Sequence, residues 1–324
     1  MSASFRALFF GSPAFAVPSL EALVSMADVA AVVCQPDKPA GRGLEITPPP
    51  VKRRAIELGL PIVQPTRLRT GEFAGWARAQ EVDVALVVAY GRILPRDVLD
   101  AARLGCVNVH GSLLPKYRGA APVTWAVVEG ETTTGITLMK LDEGMDTGPT
   151  FARLSTAIGP EETAGEVAER LSRLGATAVH DWLGRYVSGQ CTLEPQDSSR
   201  ASLAPMLTKE HGLIDWGQTA KRVHDHVRGM RPWPGAYTSG RGGIVGVHAT
   251  RVIDGVRPTS PPGAVVVADK ARVIVACGHE SFLELVTVQP RGRRAVRATE
   301  WVMGRGVTEG DILGLPQATA SASR

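Results

Sequence analysis

The sequence predicts an α/β fold with a doubly wound parallel sheet, followed by a small antiparallel β-barrel. Three observations carry this expectation. Residues 6–10 form a short apolar run, Gly11-Ser12-Pro13 breaks it, and 15–26 read as a helix before a second apolar run at 29–34. That strand, helix, strand rhythm builds parallel sheets. Residues 82–89 are a nearly unbroken apolar run, as expected for a central strand covered on both faces. From 244 onward the pattern changes to short apolar runs broken by Gly and Pro, at 244–253, 263–268, 271–277 and 281–288, the spacing of a small barrel.

With 324 residues the chain is long enough for two domains, each with its own core. The expected division is a first domain over 1–189, a linker over 190–205, the barrel over 206–314 and an Ala/Ser-rich disordered tail over 315–324. The linker is read from Gly189, Pro195, Ser198, Ser199, Ser202 and Pro205. The composition, 44% hydrophobic and 21% charged, is that of an ordinary globular protein. No apolar run approaches the roughly 18 residues of a membrane span, and the N-terminus lacks the apolar region of a signal peptide. Cys34, Cys106, Cys191 and Cys277 are scattered, with no Cys-x-x-Cys pair. Reduced thiols in a cytoplasm are expected, with neither a zinc site nor a disulfide framework.

Charge is unevenly placed. Residues 1–204 carry 20 Lys and Arg against 22 Asp and Glu, a net of −2, whereas 205–324 carry 16 against 10, a net of +6. A basic last third suggests a polyanionic partner for it, although the same charge would also serve as a solubilising surface.

Taken in order, no Gly-x-Gly-x-x-Gly follows the first strand, which removes the main support for a nicotinamide cofactor. Residues 36–50 hold Pro36, Pro39, Gly41, Gly43 and three prolines at 48–50, a loop in which neither helix nor strand is expected. Residues 52–58 and 73–80 read as helices, with a short edge strand at 61–65 between them. A strand at 106–110, a helix over 120–129 and a strand at 135–141 follow. Asp142, Glu143 and Asp146 then crowd one glycine loop, either a solvated acidic turn or a metal site. Matched ligands for a metal are too few nearby, and none is expected. Thr163-Ala164-Gly165-Glu166 matches a capping box opening a helix to about 187, with Val167, Leu171, Leu174, Ala178 and Trp182 on one stripe. Residues 219–228 form a helix stopped by Gly229; His224 and His226, two apart on it, make a poor metal pair. Arg291-Gly292-Arg293-Arg294 is the densest basic run, read equally as a solvated turn or, with Trp233, Tyr237 and Trp301, as a patch that tracks a nucleic-acid backbone.

The chemistry concentrates at Cys106-Val107-Asn108-Val109-His110 and the Gly/Pro-punctuated loop after it. Side chains alternate along a strand, so Asn108 and His110 share one face while Val107 and Val109 face packing. A carboxamide and an imidazole delivered to the carboxyl end of a strand suit acyl transfer: one stabilises an oxyanion, the other handles a proton.

Asn108-x-His110-x-Ser112-Leu113-Leu114-Pro115-x-Tyr117-Arg118-Gly119 resembles the signature of the 10-formyltetrahydrofolate-dependent formyltransferases, and Asp142-Glu143-Gly144-Met145-Asp146-Thr147-Gly148-Pro149 is similar to that family's second signature. The resemblance runs from about residue 5 to about 314 and is strongest to the members acting on tRNA. It implies a Rossmann-like first domain, an oligonucleotide-binding-type barrel and formyl transfer from 10-formyltetrahydrofolate to the α-amine of methionyl initiator tRNA. It implies Asn108, His110 and Asp146 as catalytic, with Asp146 the partner of His110. The folate pocket would be lined by Ala89, Tyr90, Gly91, Arg92, Ile93 and Leu94, by Ser112, Leu113, Leu114 and Pro115, and by Asp142. Arg42 would reach the acceptor end of the tRNA, with Arg291, Arg293 and Arg294 on its backbone. The expected assembly is a monomer with no metal and no membrane partner. Three departures from the pattern stand out: Leu44-Glu45-Ile46 where lysine is usual, Gly111 where a larger residue is usual, and Met206 where lysine is usual at the domain junction. A small amine acceptor would need neither the basic second domain nor the Arg42 loop, and a non-catalytic RNA-binding protein would not need Asn108, His110 and Asp146 together.

Overall fold

The structure is a computed structural model of the chain and describes residues 5–40, 45–254 and 260–314. In chain order the elements are β1 (Arg6–Gly11), α1 (Val17–Val24), β2 (Asp28–Val33), β3 (Lys38–Ala40), β4 (Glu45–Thr47), α2 (Pro50–Glu57), β5 (Ile62–Val63), α3 (Glu72–Arg78), β6 (Val84–Val88), α4 (Arg96–Leu99), β7 (Cys106–His110), β8 (Arg118–Gly119), α5 (Pro122–Val128), β9 (Thr133–Lys140), β10 (Thr150–Ala157) and α6 (Ala164–Val187). They continue as β11 (Leu203–Ala204), α7 (Ala220–Gly229), β12 (Ala236–Gly240), β13 (Gly243–Ile253), β14 (Val265–Ala268), β15 (Val273–Cys277), β16 (Ser281–Pro290), β17 (Val296–Arg297) and α8 (Ala298–Met303). The chain divides into two units: 1–123 with 133–157 and 166–205, and 124–132 with 158–165 and 206–324.

The first unit is built on a seven-stranded sheet in the order β10-β9-β7-β6-β1-β2-β5. Strands β5, β2, β1, β6 and β7 run parallel, and the order reverses between β1 and β6. The fully buried β6, Val-Ala-Leu-Val-Val, is the central strand its apolar run demands. The sheet is mixed rather than all parallel, because β9 pairs antiparallel with β7 and β10 antiparallel with β9. β10 escapes notice in the sequence, since its second half alternates exposed and half-buried residues at the sheet edge.

Two further differences concern loops. Residues 38–40 and 45–47 form an antiparallel hairpin, with Pro39 opposite Ile46. A two-stranded ribbon has open edges on both sides, so the missing proline N–H breaks no central ladder. The stretch read as a linker, 190–205, belongs to the first unit: β11 adds to β8 in parallel, and Glu194 bridges Thr150.

Helix α6 covers the face of the sheet opposite the chemistry. Its buried face runs through Val167, Leu171, Ala178, Val179 and Leu183, while Leu174 and Trp182 lie at the margin. A Cβ on Gly175 would come 3.1 Å from Val109, so the missing side chain lets the helix lie against β7. Val107 and Val109 are accordingly buried.

The second unit holds a six-stranded antiparallel sheet, β12-β13-β16-β15-β14, with β17 joined to β16. Ala220, Val223 and Val227 of α7 and Trp301 of α8 pack into one core with Val245, Val275 and Leu283 of the sheet. Thr219 caps α7 by accepting from Arg222 N at 3.3 Å. The helix also anchors the 158–165 segment of this unit. Buried Arg228 is paired to Asp225 and donates to the carbonyls of Glu162 at 2.9 Å and Gly159 at 3.3 Å, and His224 lies between Thr250 and the Pro160 carbonyl. His224 and His226 thus serve different surroundings, as their spacing requires.

Candidate active site

Neighbouring parallel strands present their carboxyl ends together, and a sheet whose order reverses opens a crevice there. Here β1, β6 and β7 end side by side on that edge of the sheet. β7 brings Asn108 and His110 to it on one face, at register positions opposite Met139 and Thr137 of β9. His110 is 5% exposed. Its Nε2 lies 2.9 Å from the Tyr117 carbonyl oxygen, which can only accept, so that nitrogen carries a proton. Its Nδ1 faces Asp146 Oδ2 at 3.5 Å. The imidazole is thus held between a carbonyl and a carboxylate, an arrangement in which a second ring proton also finds an acceptor. Among the described residues none takes a hydrogen bond from the half-buried Asn108 carboxamide.

Asp146 Oδ2 also accepts from Gly119 N at 2.8 Å. Asp146 has φ +53°, a left-handed conformation that costs a non-glycine residue and persists only where the surroundings hold it. The loop packs tightly: a Cβ on Gly148 would run into the Lys140 carbonyl oxygen, which explains the glycine there. Asp142 works inside the same loop, accepting from Gly144 N at 3.0 Å and from the Thr147 hydroxyl at 2.8 Å.

The loop after β7 is equally fixed. Ser112 is fully buried and its hydroxyl donates to the Lys116 carbonyl at 2.6 Å. Thr137 Oγ1 donates to the Ser112 carbonyl and accepts from Leu114 N, while Arg153 Nε reaches the Leu114 carbonyl. Pro115 follows a cis peptide bond. Ser112 is therefore committed to holding the loop, with its hydroxyl turned inward.

The loop after β6 is split by burial. Tyr90 and Leu94 join the core, and Tyr90 sits edge-on to Phe10. Burial pushes the Tyr90 phenol up to about 12. Ala89, with φ +46°, Gly91 and Ile93 are exposed, Ile93 to 75%. Arg92 donates to the Pro65 and Thr66 carbonyls, and the Tyr90 carbonyl accepts from Gln35 at 3.0 Å. Arg92 thus pins this loop to a neighbouring one.

Burial pushes the Cys34 thiol up to about 11 and the Cys106 and Cys277 thiols up to about 12, which keeps all three protonated and unfit as nucleophiles. Among the described residues no group of three or more His, Cys, Asp or Glu side chains is placed to hold a metal ion. No described helix is long and apolar enough to cross a membrane.

In the second unit, Arg291, Arg293 and Arg294 are exposed, and among the described residues none of their guanidiniums is in an ion pair. Arg291 borders a cavity of about 450 Å³ lined also by Tyr237, Ile244, His248 and Gln289. Trp301 is buried in the core rather than joining this surface. Arg42 lies outside the described residues.

Sequence reasoning missed the groups that hold the loops of the candidate site: Gln35, Thr137, Gln196 and Ser202. Only Thr137 sat in a segment read as a strand. Ser202 Oγ accepts from Tyr117 N at 2.9 Å across 85 residues of chain, a distance no local pattern reveals.

A carboxamide, an imidazole and a carboxylate gathered at the carboxyl end of β7 suit chemistry at a carbonyl carbon, the class of an acyl-group transferase. Residues 6–183 match the formyl transferase family and 206–306 match the formyl transferase C-terminal domain, so the chain belongs to the formyl transferase family. It is 53% identical to a methionyl-tRNA formyltransferase of Sorangium cellulosum, over 95% of this chain and 99% of that one. It is 44% identical to one of Myxococcus xanthus, over 94% and 96%. Among solved structures it resembles an N-formyltransferase of Helicobacter canadensis, in complex with folinic acid and dTDP-3-aminofucose. There the TM-score is 0.65 at 15% identity, over 87% of this chain and 98% of that one, a likeness of fold.

Proposed function

We propose that this chain moves the formyl group of 10-formyltetrahydrofolate to the α-amine of methionyl initiator tRNA, in the cytoplasm. The observation that carries the reading is the 53% identity to a methionyl-tRNA formyltransferase over nearly the whole of both chains. The placement of Asn108, His110 and Asp146 supports it. The amine lone pair adds to the formyl carbon and the carbonyl electron pair moves onto oxygen. Asn108 and a protonated His110 stabilise that oxyanion. Asp146 orients His110, and the proton lost by the amine passes to the departing N10 of the folate. The C–N10 bond breaks as the new C–N bond is kept, so no covalent enzyme intermediate forms. The buried, protonated thiols are consistent with direct attack.

Folate is held in this reading by the exposed positions Ala89, Gly91 and Ile93 of the 89–94 loop and by the walls of the 112–115 loop, with Ser112 and Arg92 shaping those walls from behind. Asp142 acts through the loop it stabilises. Arg291, Arg293 and Arg294, exposed beside a cavity bearing Tyr237, suit a tRNA backbone. Arg42 is kept as a contact to the acceptor end.

The test offers 10-formyltetrahydrofolate, labelled in the formyl group, to methionyl initiator tRNA, free methionine and an amino-sugar nucleotide in parallel. Label on the tRNA alone is expected. Label on the amino sugar would overturn the acceptor and leave the N-terminal chemistry standing.

A further inference from the structure

The segment 192–200 lies exposed on the first unit at every position but one: Gln196 is half-buried. Its carboxamide is fully used. Nε2 donates to the carbonyl of Asp146 and to that of Gly148, both at 2.8 Å. Oε1 accepts from Arg118 Nε at 3.1 Å and Nη2 at 2.9 Å. Arg118 is itself buried, and its backbone N donates to the Ser202 carbonyl at 2.8 Å. The next residue, Gly119, supplies the N–H that meets Asp146 Oδ2. A Cβ on Gly119 would lie 2.5 Å from the Ala204 carbonyl oxygen, so this backbone and the 203–204 strand touch directly.

We propose that Gln196 is a positioning residue for the reaction, its amide bridging Arg118 to the backbone of the Asp146 loop and so setting where the carboxylate meets His110. The argument is one of need and supply. Asp146 sits in a left-handed conformation at the end of a loop whose residues 142–145 are exposed, with Met145 exposed to 65%. Such a conformation relaxes unless other groups over-determine it. Gln196 ties the carbonyls of Asp146 and Gly148 to the same side chain, Arg118, whose strand supplies the donor to the Asp146 carboxylate. A displacement of about 1 Å in a catalytic group can cost on the order of 100-fold in rate. Gln196 hydrogen-bonds to neither His110 nor Asn108, so its effect passes through Asp146.

The inference rests on the proposed formyl transfer, and the test keeps the two apart. Gln196→Met removes both donor and acceptor. Gln196→Glu keeps the acceptor for Arg118 and faces the two carbonyls with another oxygen. Both are expected to lower kcat by roughly 10- to 100-fold, with KM for folate and tRNA within about twofold of wild type. The decisive measurement is a double-mutant cycle with Asp146→Asn: in that background Gln196→Met should change kcat by less than about twofold. Full additivity with Asp146→Asn overturns the proposal, as does unchanged kcat in both single variants. Loss of kcat in step with loss of folate affinity, titrated separately by fluorescence, also overturns it by showing a general collapse. A wild-type chain that forms no labelled tRNA sinks the formyl-transfer reading instead, whatever the variants do.

Discussion

The two units hold their candidate functional groups in opposite ways. In the first, His110 at the end of β7 and Asp146 facing it are each held by two partners, at distances between 2.8 and 3.5 Å. In the second, the arginines of 291–294 stand exposed. A fixed buried constellation concentrates its effect in single residues and is indifferent to salt. An exposed basic surface spreads its effect over many residues and is screened by salt. The difference teaches where to look for rate and where for affinity.

The largest test of that contrast is His110→Ala, expected to lower kcat by ~10²–10⁴ while leaving tRNA affinity unchanged, read by single-turnover formyl transfer and filter binding. Asn108→Ala follows at ~10²–10³, the scale for one oxyanion donor, again with tRNA affinity intact. If either variant lost tRNA binding in proportion to rate, the division of labour would be broken. The double variant Arg291→Ala with Arg293→Ala should do the reverse. Its signature is weaker tRNA binding, with the slope of log affinity against log salt shallower by about 1 for each phosphate left without its arginine, and near wild-type kcat at saturating tRNA.

The smallest effect concerns stability in the second unit. Burial, opposed by a hydrogen bond to the Gly212 backbone, holds His226 below its ordinary 6.5. The unfolded chain therefore binds this proton first as pH falls. The contribution is complete above 6.5 and declines as pH drops towards the folded-state value. In His226→Gln, the loss of stability between about pH 7.5 and 5, followed by denaturant midpoint, should be shallower than in wild type.

Much of this was legible. Alternation placed Asn108 and His110 on one face and Val107 and Val109 on the other, and the buried run at 84–88 announced the central strand. Strand direction was not legible, because apolar periodicity is the same for parallel and antiparallel pairing; hence β9 and β10 were not foreseen as antiparallel. The pairing of 38–40 with 45–47 was hidden by Pro39, whose restriction vanishes on a free edge. Gln196 left no trace, since its meaning lies in two carbonyls about fifty residues away and its Pro/Ser-rich surroundings read as slack chain.

That last feature bears on when the protein comes alive during its synthesis. Sheet strands β1 to β10 are all complete by residue 157, but the seam of 118–119 with 203–204 joins segments 85 residues apart. The seam cannot close before residues 203–204 have been made, whereas the pairings of the seven-stranded sheet, β1 with β6 included, all lie within the first 157 residues. A nascent chain that has folded its α/β sheet and α6 still lacks the wall that holds Asp146. If Gln196 positions Asp146 as proposed, a chain made only as far as residue 189 turns over no faster than the Gln196→Met variant, roughly 10- to 100-fold below the complete chain.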